Sequence, residues 1–211
     1  MFASPIEIKH EKRADVPNYG TGFAPYFLSL GLFVGALLLS IVFPLREPAV
    51  KPASALHWFI GKFVTIALIG TGQALIACVA LLYGLGIEVV NVPYFFLFAV
   101  ITSITFMALI QFLVTTLGDP GRFIAIVILI LQLTTSAGTF PLELLPSSLQ
   151  VFNHWLPMTY SVFGFKEVIS GGDLAFMWSN VAVLSIYIGM MMIGTYLFFR
   201  LQHKKELPVL N

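Results

Sequence analysis

One cysteine and very little charge mark this chain by what they leave out. Cys78 is the single cysteine among 211 residues, so no disulfide framework exists. It falls inside an apolar run and reads as a small buried hydrophobe. The four histidines, His10, His57, His154 and His203, lie on separate segments, and no metal-ligating cluster can be drawn from them. Lys and Arg total 11 against 10 Asp and Glu, a net charge of +1, which supplies no field for a nucleic acid. No G-x-x-x-x-G-K-[ST] phosphate loop is present, because Gly61-Lys62 runs into Phe63. The chain therefore hydrolyses no ATP of its own and holds no cofactor. No serine nucleophile with a base is evident either, and the chain is read as no enzyme. Neither tandem nor inverted repeats are found.

What is present is apolar. Hydrophobic residues make up 58% and charged residues 10% of the sequence, where soluble domains run near 25% charged. The mean hydropathy is +0.94, that of an integral membrane protein. Five long apolar runs cover about 23–43, 63–85, 94–117, 123–140 and 177–199, each near the ~20 residues that cross a bilayer as a helix. None contains Asp, Glu, Lys or Arg. Proton- and ion-coupled transporters bury such groups as relays, so a secondary transporter and a charge-lined channel are both disfavoured.

In order, residues 1–22 form a polar juxtamembrane segment in which acids alternate with bases. Met1 is followed by mixed polar residues with no basic stretch leading into an apolar one, so no signal peptide is read. The chain opens as though within something longer. The first run carries Gly31-x-x-x-Gly35, a spacing that lets a second helix approach closely. Pro44 and Pro48 close it. The connector that follows, P-A-S-A-L-H-W-F-I-G-K, reads as a short amphipathic helix on the membrane surface, with Pro52 at its first position and Leu56, Phe59, Ile60 and Phe63 on one face. Gln73 in the second run is expected to hydrogen-bond inside the bundle. Thr102, Ser103, Thr105 and Gln111 in the third are expected to satisfy one another or backbone carbonyls. Gly118-Asp119-Pro120-Gly121 is a tight turn. Val162, Phe165, Val168 and Ile169 space as a short amphipathic helix, stopped by Gly171-Gly172, and Asp173 caps the last helix.

The stretch between the last two runs organises the chain. G-T-F-P-L-E-L-L-P contributes Gly138, Phe140, Pro141, Glu143 and Pro146, and N-x-x-L-P-x-x-Y contributes Leu156, Pro157 and Tyr160. Pro141 is expected to end the fourth membrane helix. The residues between Pro146 and Pro157 are half apolar, too short to span and too greasy for a solvated loop, as in a re-entrant or interfacial element. Trp155 and Tyr160 suit the headgroup level. The predicted fold is thus all-α: five transmembrane helices, a cytoplasmic interfacial helix, and a proline-broken element before the last helix.

These motifs resemble the region before the last helix of type-2 ABC exporter permeases. The whole chain resembles the C-terminal membrane domain of the phage infection protein (YhgE/Pip) family. The resemblance implies that Pro52, Ser54, Gly61 and Lys62 form the connector that meets a separate ATP-binding subunit. It also implies a homodimer in the cell membrane of a bacterium, with residues 23–211 as the permease-like domain and 1–22 as the end of an extracellular domain. Charge agrees in direction. Arg46, Lys51, Lys62, Arg122, Arg200, Lys204 and Lys205 fall on one side, and Lys9, Lys12, Arg13 and Lys166 on the other, which places the C-terminus in the cytoplasm and the N-terminus outside. Two functions follow as expectations. One is the permease subunit of an exporter that moves an amphiphilic or polymeric substrate outward. The other is a membrane anchor or scaffold for a phage-receptor or secretion-associated protein.

Overall fold

The computed structural model describes residues 19–48, 52–136 and 146–206. Among these, every regular element is helical. Helix α1 covers Tyr19–Val42, α2 Ala55–Val79, α3 Val92–Leu117, α4 Asp119–Thr135, α5 Ser147–Asn153, α6 Pro157–Lys166 and α7 Leu174–Glu206. A single π-helical turn extends α2 over Ala80–Gly84, and another extends α6 over Glu167–Gly171. Among the described residues, four helices are long and apolar enough to cross a membrane: Gly20–Val42, Ala55–Gly84, Val92–Leu117 and Leu174–Lys204. The run expected as a fifth span contains α4, whose 17 residues extend about 26 Å.

Helix α3 is the axis of the bundle, packed by α1, α2, α4, α6 and α7. Its inward faces carry Phe95, Phe98 and Phe106, all fully buried. Phe106 meets Phe33 of α1 edge-on at 5.2 Å, and Phe98 meets Phe165 of α6 at 4.8 Å. Small residues let the helices close. Gln73 of α2 lies over the Gly31/Gly35 face of α1 and donates to the Gly31 carbonyl at 3.2 Å. Ser103 donates to the Gly70 carbonyl at 2.8 Å. Both the α1–α2 approach and the hydrogen bond of Gln73 are therefore as the spacing anticipates.

Several expectations need correcting. The connector does not form a separate surface helix; it is the first turns of α2. Gly61 alone does not stop the helix, since one glycine costs only about 1 kcal/mol relative to alanine. Pro52 is not the first helical residue either. Ser54 caps α2, its hydroxyl accepting from the His57 amide at 3.2 Å. The face buried there is Ala55, Trp58, Phe59 and Lys62, while Leu56 and Ile60 stay exposed. Helix α4 stops at Thr135, before the expected end near Phe140. The short amphipathic helix read from Val162, Phe165, Val168 and Ile169 is present as α6 and its π-helical extension, and all four side chains are buried in the bundle. On α3, Thr105 donates to the Ile101 carbonyl, but Thr102 Oγ1 and Gln111 Nε2 have no partner among the described residues.

Other boundaries behave as read. Gly118, at φ +69°, is the single residue between α3 and α4. Gly172, at φ +81°, ends the helical run after α6, and Asp173 caps α7 by accepting from the Phe176 amide at 3.0 Å. Left-handed backbone of this kind is open to glycine at little cost.

Candidate functional site

The up-and-down order of the helices collects two groups of residues at opposite ends of the bundle. At one end lie the exit of α1, the start of α2, the α3–α4 junction and the end of α7. This end carries the connector residues and most of the cations.

The connector is anchored rather than free. Trp58 packs on Phe199 of α7 with ring centroids 4.6 Å apart, and Phe59 meets Tyr196 at 6.1 Å. Ser54 Oγ and His57 Nδ1 are 2.8 Å apart, which fixes the first turn. Lys62 points inward. Its ammonium donates to the Pro44 carbonyl at 2.5 Å and lies 4.8 Å from the centre of the Phe43 ring. Only 8% of Lys62 is exposed. Gly61, by contrast, faces open space, with no atom within 4 Å of the position a Cβ would take. Pro52 lies just outside the helix.

A second cation reaches the same helix exit. Arg122 of α4 donates to the Ser40 carbonyl through Nε at 3.2 Å and Nη2 at 2.7 Å, and it pairs with Asp119. The last carbonyls of α1 have no intrahelical partner and carry the negative end of the helix dipole. Lys62 and Arg122 thus tie α2 and α4 to the exit of α1. Sequence reasoning places Arg122 at the membrane edge but misses this contact. The signal for it is weak, since it depends on α1 and α4 lying side by side.

The broken element lies toward the other end. Of its motif, Gly138, Phe140, Pro141 and Glu143 fall outside the described residues. Pro146 caps α5, Leu156 caps α6, and Pro157 takes the first position of α6, where its missing N–H costs nothing. Tyr160 donates to the His154 carbonyl at 2.9 Å and so closes the turn between α5 and α6. That turn is held deep along its neighbours. Tyr187, about 20 Å along α7 from Leu174, donates to the Trp155 carbonyl at 2.8 Å. Ser161 donates to Ser29 at 2.9 Å, a residue about 15 Å along α1 from Tyr19. From there α6 climbs to the end of the bundle, where the Ile169 and Val168 carbonyls accept from the amides of Val90 and Asn91. Near the top, Lys166 lies with its ammonium 5.7 Å from the centre of the Phe163 ring.

Polar side chains join the end of α4 to the start of α6. Gln132 Oε1 accepts from the Met158 amide at 3.0 Å, and Asn153 donates to the Thr135 carbonyl at 2.5 Å. Gln132 Nε2, Ser136 Oγ and Thr159 Oγ1 are buried there without a partner among the described residues. In the sequence, the fourth apolar run changes from aliphatic residues to Gln132, Thr134, Thr135 and Ser136, a sign that this end does not face lipid. Its pairing with α6 was not legible.

Comparison with known proteins agrees with this architecture. A family model described as ABC-2 family transporter protein matches residues 3–199. A relative, the uncharacterized protein YhgE of Bacillus subtilis (strain 168), is 50% identical over 207 residues. That match covers 98% of this chain but only 27% of the relative, so the chain spans about a quarter of the relative's length. No solved structure matches.

Proposed function

The chain belongs to the ABC-2 family of transporter proteins, and from that premise we propose that it is the membrane subunit of a type-2 ABC exporter. In this reading a separate subunit binds and hydrolyses ATP, and the chain works as a homodimer that moves an amphiphilic or polymeric substrate outward. The end carrying Arg46, Lys62, Arg122, Arg200 and Lys204 is cytoplasmic, by the excess of cations there. Helix α4 makes the fifth crossing together with α6.

The observation that carries the reading is the placement of Gly61. It is exposed on the first turns of α2, next to an aromatic cluster that joins α2 to α7, so a push there reaches two long helices at once. Lys62 serves as a strut to α1 rather than as the point of contact. The test is cross-linking from a cysteine at Leu56, exposed on the same turns, in the cells the chain comes from. Recovery of an ATP-binding subunit, lost in the Gly61→Arg variant while the protein stays folded, is the expected result. Recovery of no such subunit sinks the exporter reading.

Two features favour a second reading, a membrane anchor for a larger protein. The connector's main cation is consumed inside the chain, and the matched region is a quarter of the relative's length. An anchor predicts that Gly61→Arg changes no interaction at all.

A further inference from the structure

The basic end contains a cleft of about 660 Å³ between the exit of α1 and the α3–α4 junction. Two of the cations near it are already engaged. Arg122 is held by Asp119 and the Ser40 carbonyl, and Lys62 by the Pro44 carbonyl. Arg46 is different. It is exposed, and no carboxylate among the described residues comes within salt-bridge range of it. Its guanidinium sits 5.4 Å from the centre of the Phe198 ring, which leaves the N–H donors at its edge for another acceptor. The same contact places Arg46 beside the last turns of α7, where Arg200 and Lys204 are exposed. Glu47 and Asp119 are the acidic members of the cleft lining, and Asp119 is taken by Arg122. The lining itself, with Arg46 and Arg122 against Glu47 and Asp119, is neutral, and the positive excess comes from Arg200 and Lys204 on the neighbouring turns of α7.

The lip of the cleft nearest the middle of the bundle is apolar. Ile41 is 63% exposed, Val42 84% and Leu117 46%, and they sit on helices long enough to cross a bilayer. A cation with an edge of free donors, bordered by exposed hydrocarbon at a membrane boundary, matches one kind of molecule: an anion that carries hydrocarbon. A soluble phosphate would use the charge and leave the lip bare. We propose that this cleft is a headgroup site for an anionic phospholipid. The phosphate meets Arg46, and the acyl chains run along Ile41, Val42 and Leu117. The site does not depend on whether the chain exports anything.

The experiment uses the full chain purified in neutral detergent. Binding of phosphatidylglycerol is compared with that of phosphatidylcholine bearing the same acyl chains, and with inorganic phosphate, by native mass spectrometry and by the shift in thermal unfolding. The expected result is preference for phosphatidylglycerol. Arg46→Gln weakens that binding roughly fivefold, the worth of one basic side chain at an anionic surface. Lys166→Gln, at the opposite end, leaves it unchanged. Three outcomes would overturn the proposal: equal binding of the two lipids to the unaltered chain, an undiminished preference in Arg46→Gln, or an equal response to inorganic phosphate. The first and third need no variant and so do not depend on how Arg46→Gln folds.

Discussion

Glycine positions in this bundle differ in what a methyl group would meet, and the difference sets a residue-scale prediction. At Gly121 an added Cβ would stand 2.1 Å from the Leu113 carbonyl oxygen, which is backbone and cannot swing away. At Gly35 it would meet the end of the Gln73 side chain at 1.7 Å, which can move but only by giving up its bond to Gly31. At Gly31 it would meet nothing within 4 Å. The order of stability expected is Gly31→Ala, then Gly35→Ala, then Gly121→Ala. Overpacking at Gly121 costs about 1–3 kcal/mol. The helix preference for alanine makes Gly31→Ala neutral or favourable by up to about 1 kcal/mol. Thermal unfolding in detergent reads this series, and a Gly121→Ala variant as stable as the parent would show the α3–α4 contact to be misplaced. The sequence marks Gly31-x-x-x-Gly35 as a site of close approach. It does not say that the visitor is Gln73 of the same chain, because that depends on the rotation of α2 about its axis.

At the scale of elements, the exit of α1 depends on Lys62 and the junction of α4 with α6 depends on Gln132. Replacing Lys62 by Met keeps an apolar stem against Phe43 but removes the donor to Pro44. Loss of a buried charged partner of this kind costs about 1–3 kcal/mol. Lys62→Met is therefore expected to unfold at lower temperature than Gly61→Ala, which changes an open position two atoms of backbone away. Gln132→Leu leaves the Met158 amide buried with no acceptor. Hydrogen exchange should then quicken over the first turn of α6 while α3 stays protected; unchanged exchange at Met158 would mean that the amide is held by something else. These two contacts also mark where the sequence stops being informative. The long apolar runs of α1, α2, α3 and α7 declare themselves, because lipid-length hydrophobicity is a local property. The continuity of the connector with α2 does not, since the aromatic packing of Trp58 on Phe199 that holds it joins residues far apart in the chain. The early end of α4 is hidden in the same way. Thr135 and Gln132 look like ordinary polar residues of a membrane helix until Asn153 and Met158 arrive to bond them.

For the whole molecule, the open question of shape is how deep the turn between α5 and α6 lies, and the structure supplies both a depth and a way to measure it. Trp155 is 73% exposed, as is much of Val151 and Phe152, yet its carbonyl is held by Tyr187 about 20 Å along α7 from Leu174. Helical side chains lean back toward the N-terminus, which raises the contact by roughly a turn, about 5 Å. That still leaves the turn well below the end of the bundle, at a level where α7 is flanked by exposed Ile186 and Met190. Exposed indole and aliphatic groups at this level face hydrocarbon or a second copy of the chain, in either case away from water. Glu88, on the α2–α3 connection, and Glu47, beyond α1, are exposed at opposite ends of the bundle. Cys78 is fully buried and gives a silent background for labelling. Cysteines placed singly at Glu88, Glu47 and Trp155 then report topology with a charged, membrane-impermeant maleimide. Glu88→Cys should label in intact cells, Glu47→Cys only after the membrane is opened, and Trp155→Cys in neither condition until detergent is added. Labelling of Trp155→Cys in intact cells would place α5 at the membrane surface. The fifth crossing would then be complete before α5, and α6 would have no part in it.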